Sequence, residues 1–224
     1  VVEANQELLD KGLAGLRKTL DGLVAKAKLE AKEKDAILGR ITGSTRLEDL
    51  KACDLIVEAI TENQQLKNET FAKLDRICPP HTILASNTSS CNVTAMAAAT
   101  KRPGNVLGLH FFNPVPLMKL VEVVRTILTD EATVKTASAW VQAIGKVPAA
   151  AKDSTGFIVN RLLVPYLLEA IRVYESGLAS LEDIDQAMKL GCGYPMGPFT
   201  LLDLVGLDTT LYVAEVMFEE FREA

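Results

Sequence analysis

The segment Asp54-Leu-Ile-Val-Glu-Ala-Ile60 decides the fold class of this chain. It is a short apolar run, and its length and composition are typical of a β-strand that is buried on both faces. Helical periodicity flanks it, over residues 6–29 and 32–38 before the run and over residues 63–77 after it. A buried strand between helices indicates a sheet that helices cover on both sides.

The same alternation continues to residue 152. It predicts strands at 82–85, 106–109, 120–124 and 147–152, and helices at 92–99 and 131–144, the second of which ends at Gly145. Repeated β-α-β units favour a parallel, doubly wound sheet. After Asp153 only helical patterns remain, over 157–175, 181–190 and 207–222. We therefore predict a Rossmann-type α/β domain over residues 1–152, followed by a smaller all-α domain over residues 153–224.

Composition excludes several classes of protein. The 224 residues are 48% hydrophobic and 24% charged, which predicts a folded, soluble protein. The net charge of -5 is dispersed, so we expect no nucleic-acid partner. No apolar run approaches the ~18 to 20 residues of a membrane span. The four cysteines lie far apart and form no Cys-x-x-Cys motif; they are Cys53, Cys78, Cys91 and Cys192. We therefore expect no metal centre, and we expect a reducing compartment.

The chain begins at Val1-Val2-Glu3 without a methionine, and we interpret it as a fragment. No Gly-x-Gly-x-x-Gly motif follows a predicted strand, whereas a dinucleotide fold places that motif about 20 residues before an acidic residue that binds ribose hydroxyls. Glu3 fits that acidic position, which would place the glycine-rich loop upstream. A carboxylate there favours NAD over NADP, because it repels a 2′-phosphate. An exposed turn glutamate is the alternative interpretation.

Three other features can carry chemistry. His110 ends the strand that begins at Val106, and Glu122 lies in the next strand; a His–carboxylate pair can take an alcohol proton near neutral pH. Residues 86–90 form a polar loop at the carboxyl end of another strand, where they either bind a ligand or cap the next helix. Asn160 lies in an apolar helix, so it either braces the core or projects into a cleft. The residues alone also leave a structural role open for His110.

Several longer strings, taken together, resemble the L-3-hydroxyacyl-CoA dehydrogenase family, most closely its short-chain mitochondrial branch in fatty-acid β-oxidation. They occur in order over essentially the whole chain: Ser86-Asn-Thr-Ser-Ser90, Gly108-Leu-His-Phe-Phe-Asn-Pro-Val-Pro116, Met118-Lys-Leu-Val-Glu-Val123, Gly156-Phe-Ile-Val-Asn-Arg161 and Gly191-Cys-Gly-Tyr-Pro-Met-Gly-Pro-Phe199. The resemblance implies a hydride transfer from C3 of L-3-hydroxyacyl-CoA to NAD. It also implies that the first strand and the last helices of the family lie outside this chain.

The resemblance implies a role for each matching residue. His110 would be the general base, and Glu122 would orient it. Ser89 would bind the substrate oxygen near the nicotinamide, and Asn160 would hold the region of the substrate carbonyl. The remaining matches are contacts with NAD, at Glu3, Glu62, Lys67, Ser89 and Asn113, and contacts with coenzyme A, at Thr19 and Lys26.

The resemblance also implies a homodimer through the helical domain. The helix predicted at 157–175 is apolar on most of its circumference, so we expect it to be buried in the domain or in a subunit interface, with a kink at Pro165. A mitochondrial matrix location is implied for a eukaryotic protein and a cytoplasmic one for a bacterial protein.

Three alternatives stay open at this point. A β-hydroxyacid dehydrogenase of another type would carry a catalytic lysine in the long helix, where this chain has Asn160-Arg161. A non-enzymatic relative would keep the scaffold for assembly alone. The chain could also be part of a multifunctional β-oxidation protein, which would leave the chemistry unchanged.

Overall fold

A computed structural model describes residues 1–222 of the chain. Within these residues the strands are β1 (Leu55–Glu58), β2 (Ile83–Ser86), β3 (Val106–Phe111), β4 (Leu120–Arg125) and β5 (Val147–Lys152). The α-helices are α1 (Gln6–Ala25), α2 (Ala31–Gly39), α3 (Gln64–Ile77), α4 (Val93–Ala98), α5 (Glu131–Ala143), α6 (Val159–Glu175), α7 (Leu181–Cys192), α8 (Pro198–Val205) and α9 (Leu207–Phe221). The predicted Rossmann-type α/β region followed by helices is confirmed, and α8 is the helix that the sequence analysis missed.

The five strands form one sheet in the order β1-β2-β3-β4-β5, and one of its pairs corrects the prediction of a parallel sheet. Strands β2 and β3 are parallel, as are β4 and β5, but β3 and β4 are antiparallel. The physical reason is the short connection, residues 112–119, because a parallel crossover needs about a dozen residues or more. The antiparallel register places His110 directly opposite Glu122.

The centre of the sheet is buried on both faces. Every residue of β2 is buried, and so are the first five residues of β3. This explains why these strands appear in the sequence as continuous apolar runs without polar alternation. Strand β1 is different, since it alternates half-buried and buried residues and ends at the buried Glu58. The prediction that this first strand is buried on both faces was therefore wrong.

The chain divides into two compact units. The first unit comprises Val1–Ile56 and Lys73–Thr82, and the second comprises Val57–Ala72 and the described chain from Ile83 onward. The first unit contains α1, whose N-terminus is capped by the side chain of Asn5, and a parallel bridge between Val2 and Ser44. The boundary proposed between residues 152 and 153 lies within the second unit, and it stays a prediction.

Helix α6 buries only one face within this chain. Its buried residues are Val164, Leu167 and Ala170, whereas Leu162 is 71% exposed. Pro165 lies inside the helix, as the sequence predicted. No helix among the described residues is both long enough and apolar enough to cross a membrane.

Gly108 provides a test of how tightly β3 packs against β4. A Cβ atom at this position would lie 2.9 Å from Cβ of Val124, which is closer than packed carbon atoms approach. We expect Gly108→Ala to lower the free energy of unfolding by about 1–3 kcal/mol, measured by chemical denaturation. Gly191→Ala is the control, because α7 leaves open space there. Equal stability of the two variants would contradict the close packing.

Candidate active site

A buried histidine–carboxylate pair lies at the end of the sheet. The Nδ1 atom of His110 is 2.7 Å from Oε2 of Glu122. His110 is 6% exposed and Glu122 is fully buried. An ionised carboxylate only accepts hydrogen bonds, so contact with one favours the histidine tautomer whose hydrogen is on Nδ1. In a neutral imidazole of that tautomer, Nε2 is the nitrogen that can accept a proton.

The second oxygen of Glu122 is held by the start of α6. Its Oε1 atom accepts hydrogen bonds from the backbone N–H groups of Ile158 and Val159, at 3.0 and 2.9 Å. Free N–H groups at a helix N-terminus stabilise a negative charge. Glu122 is thus a buried carboxylate with a partner for each oxygen, which is the condition for keeping its charge in the core.

Two aromatic rings fix the plane of the histidine. The ring centroids of Phe112 and Phe157 lie 4.5 and 5.6 Å from that of His110. Phe157 follows Gly156, which has a φ of 78°, in the turn that leads into α6. Because Gly156 reaches this φ at little cost, the turn can bring both Phe157 and the N-terminus of α6 to the pair.

The polar loop at residues 86–90 is organised around Glu62. Oε1 of Glu62 accepts hydrogen bonds from the Ser89 backbone N–H at 2.8 Å and from the Ser89 hydroxyl at 3.2 Å. Oε2 accepts the hydroxyl of Thr88 at 2.6 Å and the thiol of Cys91 at 3.2 Å. Burial alone would raise the pKa of Glu62, but the hydrogen bonds from Thr88 and Ser89 outweigh it and lower the pKa. The loop is therefore tied to an ionised carboxylate.

The thiol of Cys91 stays protonated in this arrangement. Burial, together with the adjacent Glu62 carboxylate, raises the pKa of Cys91 to about 11. Cys91 therefore serves as a hydrogen-bond donor to Glu62 rather than as a nucleophile.

A second ion pair lies behind the same loop. The Lys67 ammonium is 2.8 Å from Oε1 of Glu58 and 3.7 Å from Oε2 of Glu62. The side chains of Lys67 and Glu58 are 1% and 2% exposed. In this geometry Lys67 binds protein acceptors, and its predicted contact with NAD stays a prediction.

Neighbouring strands bring Ser89 and His110 to the same end of the sheet. In the parallel register of β2 and β3, Ser86 is paired with Gly108, so the two strands end side by side. Asn160 lies in the first turn of α6, next to the residues that bind Glu122, and is half-buried. Asn113 is exposed in the connection between β3 and β4.

The other predicted residues belong to the first compact unit. Glu3 is half-buried, and its backbone N–H donates to the carbonyl oxygen of Ser44 beside the short parallel bridge. Thr19 and Lys26 are exposed, Thr19 within α1 and Lys26 at its end. Their roles in binding stay predictions.

A cavity of about 480 Å³ adjoins the loop, and the sequence analysis missed it. Its lining includes Glu62, Ser90, Cys91, Tyr212 and Glu215. The Ser90 hydroxyl is buried and lacks a hydrogen-bond partner among the described residues. Within these residues no cluster of His, Cys, Asp and Glu is arranged to hold a metal ion.

The fold and the histidine pair are consistent with the dehydrogenases that join a Rossmann-type sheet to a helical domain, and the family models decide the class. Comparison with known families identifies the family within this class. Residues 1–154 match the NAD binding domain of 3-hydroxyacyl-CoA dehydrogenase, and residues 156–224 match the C-terminal domain of the same family. The chain belongs to the 3-hydroxyacyl-CoA dehydrogenase family, whose members are NAD-dependent oxidoreductases.

Similar proteins occur in bacteria and in mitochondria. A 3-hydroxybutyryl-CoA dehydrogenase of Clostridioides difficile is 48% identical over 218 residues, which are 97% of this chain and 78% of that protein. The mitochondrial hydroxyacyl-coenzyme A dehydrogenase of Homo sapiens is 50% identical over 222 residues, covering 96% of this chain and 70% of that protein. The crystal structure of M. tuberculosis FadB2 aligns with a TM-score of 0.97 at 48% identity, covering 100% and 79% of the two chains.

Glu122→Gln tests the pair directly. The amide keeps the shape of the side chain but removes the charge that fixes the histidine tautomer. We expect kcat to fall by roughly 10²- to 10⁴-fold, measured as NADH formation at saturating substrate. Circular dichroism should show an unchanged fold.

The control is Glu131→Gln, because Glu131 is an exposed carboxylate that pairs with Arg125. Its kcat should equal that of the wild type. A Glu122→Gln variant with the same kcat would remove Glu122 from the mechanism.

Proposed function

We propose that His110 is the general base in the oxidation of L-3-hydroxyacyl-CoA to 3-ketoacyl-CoA. The observation that supports this proposal is the contact of 2.7 Å between Nδ1 of His110 and the fully buried Glu122. A dehydrogenase must remove the proton from the hydroxyl oxygen while hydride leaves the carbon that bears this hydroxyl. Nε2 accepts that proton, and the Glu122 charge stabilises the imidazolium that forms. Glu122 is thus the residue that orients the base.

The residues present fit the NAD cofactor of the family. NAD supplies the hydride acceptor when it is bound. Glu3 provides a carboxylate, which suits ribose hydroxyls, and Glu62 and Asn113 provide a carboxylate and an exposed amide for other contacts with NAD. We assign these three residues to the NAD site together with Ser89. The assignment of Lys67 to the same site rests on the family resemblance, since its ammonium is buried against Glu58 and the Ile60 carbonyl oxygen.

Ser89 and Asn160 orient the substrate in this proposal. The Ser89 hydroxyl donates its hydrogen to Glu62, which leaves its lone pairs to accept a hydrogen bond. The Asn160 amide lies at the start of α6, where the helix N-terminus also holds Glu122. A serine and an asparagine beside the base hold the reacting carbon in one geometry, which is a large part of the barrier reduction in such reactions.

Thr19 and Lys26 are assigned to coenzyme A. Both side chains are exposed on or just after α1, and the cationic Lys26 suits the phosphates of this carrier. Acyl-CoA is accordingly the proposed substrate class.

The test is NADH production at 340 nm with 3-hydroxyacyl-CoA substrates of several chain lengths, on the full-length protein. His110→Gln should lower kcat by roughly 10²- to 10⁴-fold on every substrate. His81→Gln is the matched control, since His81 is an exposed histidine that also pairs with a carboxylate, Asp54.

Each outcome separates the alternatives. Activity of the wild type and of His81→Gln, with loss in His110→Gln, supports the mechanism. An inactive wild type would favour a non-enzymatic relative. Full activity of His110→Gln would remove the histidine from the mechanism.

The homodimer is a further part of the proposal. Large apolar residues of the C-terminal helices and of the turn between α6 and α7 support it, because they are more than half exposed in this chain: Leu162, Leu178, Leu190, Leu204, Leu207 and Leu211. Exposed apolar clusters of this kind mark interaction surfaces. A second copy would bury them.

Size-exclusion chromatography with light scattering tests the dimer. The wild type should elute as a dimer at micromolar concentration, and Leu162→Glu should weaken it. Ile127→Glu, which changes a side chain 90% exposed in the connection after β4, should have no effect. A monomeric wild type would contradict the proposal.

The location follows the source organism in this proposal. Mitochondrial and bacterial relatives are similarly close to the chain. We assign a eukaryotic protein to the mitochondrial matrix and a bacterial one to the cytoplasm.

A further inference from the structure

Glu58 is a buried charged residue that the mechanism above does not use. Its side chain is 2% exposed, as is expected only of a carboxylate with strong partners. A buried pair of one carboxylate and one ammonium can often be replaced by apolar side chains of similar volume with little loss of stability. The contacts of Glu58 therefore need an explanation beyond its pairing with Lys67.

Three donors converge on this carboxylate. Oε1 accepts the Ile60 backbone N–H at 2.6 Å and the Lys67 ammonium at 2.8 Å. Oε2 accepts the Ser86 hydroxyl at 2.7 Å. An amide side chain has one oxygen and an NH₂ group, so it cannot accept all three hydrogen bonds. The site is built for an ionised carboxylate.

One set of contacts leads from Glu58 along the loop. Ser86 accepts the Thr88 backbone N–H at 3.2 Å, and the Glu58 carbonyl oxygen accepts the Asn87 N–H at 2.7 Å. Asn87 in turn accepts the Phe111 N–H at 2.9 Å, one residue after His110. The backbone and the side chain of Glu58 thus hold the first half of the loop that carries Ser89.

A second route runs through Lys67. Its ammonium is 2.8 Å from Glu58 and 3.7 Å from Oε2 of Glu62, so two carboxylates compete for one cation. The Ile60 carbonyl oxygen completes its coordination at 3.1 Å. If Glu58 were replaced by the neutral glutamine, Glu62 would be the one carboxylate left among these contacts of Lys67. The attraction would then draw Glu62 away from the donors of the loop.

We propose that Glu58 is a positioning residue for Ser89, because it anchors the loop through Ser86 and keeps Lys67 from pulling on Glu62. This inference rests on the role of Ser89 in the proposed function. Glu58 touches no reacting group and acts only through the orientation of the serine. A small displacement of a group that orients the substrate lowers kcat by up to about 100-fold.

The test is a double-variant cycle with Ser89→Ala, measured as kcat and KM on the full-length protein. We expect Glu58→Gln to lower kcat by between about tenfold and about 100-fold. In the Ser89→Ala background the same change should lower kcat by less than about threefold, because the group that Glu58 positions is gone. Equal factors in both backgrounds would overturn the proposal, as would an unchanged kcat in Glu58→Gln.

Two further variants keep the result interpretable. Ser86→Ala breaks the link to the loop but leaves the Glu58–Lys67 pair intact, so it replaces Glu58→Gln if that variant does not fold, with the same expected dependence on Ser89. Glu69→Gln is the control, since Glu69 is an exposed carboxylate that accepts a hydrogen bond from Gln65. An inactive wild type would refute the proposed function instead, so the two failures are distinguishable.

Discussion

The antiparallel pairing of β3 with β4 is the constraint on which the site depends. It sets His110 and Glu122 directly opposite each other, on neighbouring strands of a buried sheet. Directly opposite residues have their Cβ atoms about 4.5–5.5 Å apart, which is the spacing that an imidazole–carboxylate hydrogen bond needs. A parallel pairing at this point would need a long crossover between the two strands. The eight-residue connection therefore fixes both the topology and the chemistry.

The site holds its buried charges by two different means. Glu122 is stabilised by neutral groups, two N–H donors at a helix N-terminus and one histidine nitrogen. Glu58 and Glu62 are stabilised in part by a cation, the buried Lys67. In the first arrangement no lysine or arginine among these contacts competes with His110 for Glu122, as the proposed role of His110 as a base requires. The second arrangement holds the polar loop at residues 86–90, because Glu58 binds Ser86 and Glu62 binds Ser89.

Much of the fold could be predicted from the sequence, because burial on both faces makes β2, β3 and β4 mostly apolar, with His110 and Glu122 as the charged or titratable exceptions inside β3 and β4. The direction of β4 could not, since an apolar run is the same for either direction and only the length of the connection decides. Helix α8 was missed because Gly191 and Pro195 indicate a turn, and only the tertiary structure shows that a short helix follows. The buried Glu58 was hidden for a similar reason, because no local pattern shows that a carboxylate at the end of a strand meets a lysine on the next helix.

The candidate residues were found by resemblance more than by local pattern, and the structure gives some of them a second task. Glu62 was predicted as a contact with NAD, and in this chain it receives three hydrogen bonds from the polar loop and one from Cys91, the next residue. A carboxylate that is already bonded on both oxygens has less capacity for a cofactor hydroxyl, so binding at Glu62 must share or displace one of these donors. If NAD binds at Glu62 as proposed, it meets the same carboxylate that holds the backbone N–H and the hydroxyl of Ser89.

The segment between β5 and α6, residues 153–158, contacts both the helix after the polar loop and the His110–Glu122 pair. At one end, the Asp153 carboxylate accepts a hydrogen bond of 2.6 Å from the backbone N–H of Thr94. Thr94 lies in the first turn of α4, the helix that follows the polar loop. At the other end, the N–H of Ile158 holds Glu122. The sequence indicates a domain boundary here, because the strand pattern stops at residue 152. The positive φ angles of Gly156 and Phe157 instead give the segment one particular path. The same six residues thus bind both the helix that follows the polar loop, through Asp153, and the histidine pair, through Ile158.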